Sequence, residues 1–253
     1  MSDQMPSSWP RPYFTEPSEP PFVFYVAYGK PEDSFRISRS TYRCAGVPEG
    51  LEMMQYGPEV HPEVPASFRE GYLWDELKAS EPGLAAEISA QDHCTILRGE
   101  FADTATLDAL RDTIGLLTWL VDHGCVAIYD PQMFRWWSVA DWKAHAFAPD
   151  PIEPHQHVVI LESPQDDGRT WCHTRGMRKF GRPDLSMHDV DAKQRRAVAE
   201  MFNRFIAFQA FGGLIEEGRE IRMPGLPEGL RCRHGGDLDD PEFNNLHVEI
   251  GPS

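Results

Sequence analysis

The stretch from His93 to Tyr129, HCTILRGEFADTATLDALRDTIGLLTWLVDHGCVAIY, reads as strand, helix, strand and decides the fold class. His93 to Phe101 mixes β-branched and apolar residues and predicts a strand. Asp103 or Thr104 offers a helix N-cap, and Asp108 sits near the positive end of the helix that follows. Leu107, Leu110, Ile114, Leu117 and Val121 recur at helical spacing, and His123-Gly124 supplies the stop. Ile114, Leu116, Leu117, Trp119 and Leu120 make the last turns apolar on nearly every side, so this helix is central. Cys125 to Tyr129 is the returning strand.

Upstream, Phe22 to Tyr28 (FVFYVAY) predicts a buried strand. The 21 residues before it hold six prolines and read as a flexible arm, with Trp9, Tyr13 and Phe14 as the residues able to tether it. Residues 30–67 show no periodicity and read mostly as loop. Residues 68–77 and 82–90 read as short helices. Downstream, Ser138 to Asp141 fits a capping box that opens a short helix through Phe147. The proline-rich residues 148–154 read as a linker. A second half follows: strand His157 to Glu162, turn Asp166-Asp167-Gly168, partner strand Arg169 to Met177, and a helix over 191–212 with Val198, Phe202, Phe205, Ile206 and Gln209 on one face. Short closing strands follow at Arg231 to His234 and Leu246 to Ile250. The expected organisation is an arm (1–21), an α+β half (22–147), a linker (148–154) and a second α+β half (155–253). The expected architecture is α+β, a pseudo-duplicated sandwich whose largely antiparallel sheet has two long helices packed on one face.

The chain has 253 residues and a formal net charge of −16. That charge repels phosphate backbones, which argues against nucleic acid, and steers a basic protein surface toward this one. No apolar run is long enough to span a bilayer, and the N-terminus lacks the pattern of a secretory signal. Cys44, Cys94, Cys125, Cys172 and Cys232 form no CxxC pair and read as buried free thiols of a cytoplasmic protein. There is no P-loop, dinucleotide fingerprint, HExxH or GxSxG, and no cofactor is implied.

Four features remain. Arg169, Arg175, Arg178, Lys179 and Arg182 form a basic island in an acidic chain, suited to a carboxylate, a phosphate or an acidic patch, or else to pairing with the chain's own carboxylates. His155 and His157, with alternation placing both rings on one strand face, join His173 as candidate metal ligands, with Cys172, Glu249, His234 and His247 as further donors. Residues 235–242 are rich in oxygen ligands but lack the EF-hand pattern. Phe134, Trp136, Trp137 and Trp142 form an aromatic run that is either a recognition surface or the sealed edge of a core.

The segment Thr174-Arg175-Gly176-Met177, Phe180-Gly181, Pro183-Asp184-Leu185 resembles one found in bacterial domains of unknown function, some of which belong with immunity proteins that neutralise polymorphic toxins. The resemblance implies a duplicated α+β fold and brings no catalytic residues with it. The expected function is therefore non-catalytic binding that occludes a basic protein partner, such as a toxin, in the manner of an immunity or adaptor protein. The alternatives are a metal-assisted hydrolase and a small-anion sensor.

Overall fold

The computed structural model describes residues 5–32, 37–240 and 242–252. The chain divides into two compact units, one of Met1–Trp9, Phe22–Phe101 and Thr106–Glu153, the other of Pro10–Pro21, Ala102–Ala105 and Pro154–Ser253. The class is α+β, with one antiparallel-rich sheet in each unit.

The first unit holds β1 (Phe22–Tyr28), β2 (Leu51–Tyr56), β3 (Cys94–Glu100), β4 (Ala127–Asp130) and β5 (Arg135–Ser138), ordered β2-β3-β1-β4-β5 with every pairing antiparallel. Its helices are α1 (Arg39–Tyr42), α2 (Val64–Ser67), α3 (Tyr72–Ser80), α4 (Pro82–Ser89), α5 (Asp108–Asp122) and α6 (Val139–Asp141), the last continuing as a π-helical turn over Trp142–Phe147. β1 is apolar on both sides because both of its faces are covered. Val26 and Tyr28 pack with Trp74 and Leu77 of α3 and with Leu84, Ala85 and Ile88 of α4. Tyr25 faces the other way, its ring 5.9 Å from that of Trp142. The Trp142 indole N–H in turn donates to Thr118 Oγ1 of α5 at 2.9 Å.

The second unit holds β6 (Val159–Pro164), β7 (Thr170–Arg175), β8 (Asp184–Val190), β9 (Glu220–Ile221), β10 (Leu230–Gly235), β11 (His247–Pro252) and the long helix α7 (Arg195–Ala210). The strand order is β6-β7-β8-β11-β10-β9, and β8 runs parallel to β11. α7 packs on β7 and β8 through an apolar stripe that includes Val198, Met201, Phe202 and Ile206, all buried. The two units thus share a strand–helix–strand outline with different strand orders. Each carries one of the two long helices, and the strands fall into two sheets where one was expected.

Among the described residues four strands escape the periodicity reading: β2, β5, β8 and the two-residue β9. β2 (LEMMQY) lies in the stretch read as loop, and β8 (DLSMHDV) is made largely of poor strand formers. Both are held by pairing: β2 along β3 from Leu51↔Gly99 to Tyr56↔Cys94, and β8 between β7 and β11. Tertiary context outweighs weak intrinsic preference here. Trp136 and Trp137 of the aromatic run lie on a strand, β5, while Phe134 precedes it and Trp142 opens the π-helical turn. The arm also needs correction. Residues 1–4 lie outside the described residues, but Trp9 and Arg11 are buried, and Pro10–Pro21 belong to the second unit. The helix start near Asp103 moves to Asp108, because Ala102–Ala105 belong to the second unit and the Asp103 carboxylate faces Arg11 and Arg182 there.

Candidate functional site

The basic island runs from Arg169, just before β7, to Arg182, with four of its five cations at or beyond the end of β7. Gly176 (φ 115°) and Gly181 (φ 62°) bracket a 3-10 turn, Met177–Phe180, that leads into β8. Any Cβ on Gly176 would run into the His157 carbonyl, and one on Gly181 into the Glu19 carbonyl, so both positions require glycine for space as well as for backbone sign. The turn is locked by Asp184, which accepts from the Thr174 hydroxyl (2.8 Å), the Asn245 amide (2.8 Å) and the Met177 N–H (3.3 Å). The motif is therefore a buried cross-link between two strands.

Burial pushes Asp184 up to about 6, against the pull of those hydrogen bonds. Its folded pKa lies above its unfolded value. Its contribution to stability is thus fully present below the unfolded pKa and is lost as pH rises through about 6. We expect the unfolding free energy to lose up to about 3 kcal/mol from this group between pH 4 and pH 7. Urea titrations across that range should show the loss in the wild type and a correspondingly smaller one in Asp184→Asn. Parallel profiles would refute it.

The five cations do not converge on an anion cradle. Lys179 and Arg182 are fully buried. Lys179 Nζ donates to the His157 carbonyl at 2.9 Å. Arg182 donates to Asp103 (2.7 Å) and to the carbonyls of Gly212 (3.0 Å) and Gly213 (3.2 Å). Arg169 pairs with Asp167 and Asp189, Arg175 donates to the Glu242 carbonyl, and Arg178 donates to the Asn244 carbonyl at 3.0 Å. Arg169 and Arg182 thus pair with carboxylates, and Arg175, Arg178 and Lys179 donate to backbone carbonyls.

The histidines are also separated. Pro154–Gln156 forms a 3-10 turn and β6 starts only at Val159, so strand alternation does not apply to His155 and His157. His155 is exposed and His157 buried. His173 stacks on Trp171 at 3.8 Å beneath Phe243, and burial, with Arg175 and His188 nearby, pulls it down to about 4. Among the described residues no three His, Cys, Asp or Glu are placed to hold a metal ion. The tryptophans resolve as core: Trp136 stacks on Tyr129 at 4.1 Å, Trp137 and Trp142 meet edge to face, and all three are buried. All five cysteines are buried and free, and burial raises each thiol, Cys125 to about 12.

The first unit presents an acidic surface. From Glu59 to Asp92, the loop and helices α2 to α4 that cover one face of the first sheet carry Glu59, Glu63, Glu70, Asp75, Glu76, Glu81, Glu87 and Asp92, all exposed. The two cations of this stretch are already engaged. Arg69 donates to the carbonyls of Ile88, Ser89 and Gln91 at the end of α4, and Lys78 pairs with Asp75 at 2.7 Å. Tyr72 (76% exposed) and Val60 (53%) stand among these carboxylates. The surplus of acid over base in this stretch is visible in the sequence.

Searches of protein-family models, of curated proteins and of solved structures find no match to this chain. Among the described residues no helix is long and apolar enough to cross a membrane.

Proposed function

We propose that the protein is a non-catalytic binding protein that docks a basic protein partner through the acidic layer of α2 to α4. The observation that carries this reading is the layer itself: eight exposed carboxylates from Glu59 to Asp92, with Arg69 and Lys78 both consumed internally. Such a surface steers a cationic partner and sets its orientation, while Tyr72 supplies an aromatic anchor of the type that dominates binding energy. The inward use of Lys179 and Arg182 supports the same reading, since it removes the basis of an anion sensor. The separated histidines likewise remove the basis of a metal-assisted hydrolase. An immunity-type role against a basic toxin is the particular form suggested by the resemblance around Thr174 to Leu185, and a cytoplasmic setting accords with five free thiols.

The test compares wild type with a Glu70→Lys, Glu76→Lys, Glu87→Lys variant as immobilised bait for lysate of the source organism. The expected result is a basic protein retained stoichiometrically by the wild type at low salt, released at moderate salt, and bound at least about tenfold more weakly by the variant. Retention that is indifferent to both salt and charge reversal, or no retained protein at all, overturns the reading.

A further inference from the structure

The second unit contains a cleft of about 500 Å³ beside the β10–β11 pair, within the size range of ligand sites. Leu214, Ile215 and Leu246 form its apolar wall, and His234, His247 and Glu216 supply its ionisable groups. Among the described residues neither lysine nor arginine lines it.

The two imidazoles are held in defined orientations. His234 has Nε2 at 2.7 Å from the Ile215 carbonyl, which can only accept, so Nε2 carries the hydrogen and the neutral ring leaves Nδ1 as an acceptor. Its own backbone N–H donates to the Glu217 carboxylate at 2.7 Å. His247 stacks on Phe243 at 4.5 Å, and its Nδ1 lies 3.9 Å from Asp240 Oδ2. That carboxylate is fixed in turn by the N–H groups of Glu242 and Phe243. The ionisable wall therefore offers acceptors and negative charge beside an aliphatic surface. An anion would find no counter-charge there. A group with an aliphatic stem and a cationic, donor-rich head matches both parts, and lysine and arginine side chains have that construction.

We propose that this cleft receives a lysine or arginine side chain of the basic partner, its stem against Leu214, Ile215 and Leu246 and its head toward Glu216 and the two imidazoles. This rests on the proposed binding function and extends it to a second contact point. The test is an NMR titration of the full-length protein with capped dipeptides, following the ring resonances of His234 and His247. Acetyl-Leu-Arg-amide and acetyl-Leu-Lys-amide should shift both rings with millimolar affinity. Acetyl-Leu-Gln-amide should bind about tenfold more weakly and acetyl-Leu-Glu-amide not at all. Glu216→Gln should weaken the arginine peptide about fivefold. Unmoved imidazole resonances, or glutamine and arginine peptides of equal affinity, overturn the assignment. The outcome is separable from that of the capture experiment, whose substitutions lie in the other unit. A silent cleft with salt-sensitive capture removes only this inference, and a responsive cleft without capture removes the proposed partner while leaving the cleft as a site for a cationic side chain.

Discussion

Asp103→Asn lowers the free energy of unfolding by about 3–5 kcal/mol, the cost of leaving buried charge without its partner. One carboxylate, 2% exposed, faces two guanidiniums, Arg11 and Arg182, whose side chains are 1% and 0% exposed. Each arginine also donates to backbone carbonyls: Arg11 to those of Ala210 and Phe180, Arg182 to those of Gly212 and Gly213. Those dipoles soften the two positive charges without cancelling them, and burial already pulls Arg11 down from its ordinary value. The asparagine keeps the shape and removes the charge. Arg182→Met should cost less, because Arg11 and Asp103 still balance one another. Combining the two substitutions should recover part of the loss. Urea unfolding followed by far-UV circular dichroism measures all three. A loss below about 1 kcal/mol for Asp103→Asn would mean that water reaches the site.

Trp142→Ala costs about 3–5 kcal/mol, which for a chain of this size lowers the melting temperature by roughly 10 °C. The indole is fully buried between Tyr25 and Trp137, and its N–H satisfies Thr118. Trp142→Phe should recover much of the packing and leave the hydroxyl without that donor, at about 1 kcal/mol. The measurement pairs thermal melting with partner affinity at a temperature where the variant remains folded. A fall in melting temperature with unchanged affinity is the result expected of a core residue. Lost affinity in a folded variant would return this tryptophan to the recognition surface.

How far the sequence was legible follows from where each signal resides. β1 and α5 could be read directly because an element buried on one or both sides must be apolar in its own local period, and FVFYVAY and the Leu107 to Val121 stripe obey that. β8 could not be read this way. Its Asp184 is polar because it accepts three hydrogen bonds, one of them from Asn245, 61 residues away. A basic island reads alike whether it faces solvent or carbonyls, and Arg182 faces carbonyls. The Trp136-Trp137 pair points to opposite faces of a strand with apolar layers on both sides, so local composition could not separate core from surface. The cleft left no local trace, since Leu214, Glu216, His234 and His247 meet only through the pairing of β10 with β11 and the approach of the chain after α7.

The partition of the chain bears on how it is made. Arg11 and Asp103 leave the ribosome well before Arg182, yet all three belong to the second unit. The nascent polypeptide therefore exposes two segments, Pro10–Pro21 and Ala102–Ala105, whose counterparts do not yet exist while the first unit can already be collapsing. A fragment that starts at Pro154 would inherit Arg182 without its carboxylate. The second unit is thus not a portable module, and completing it requires translation to run through β11.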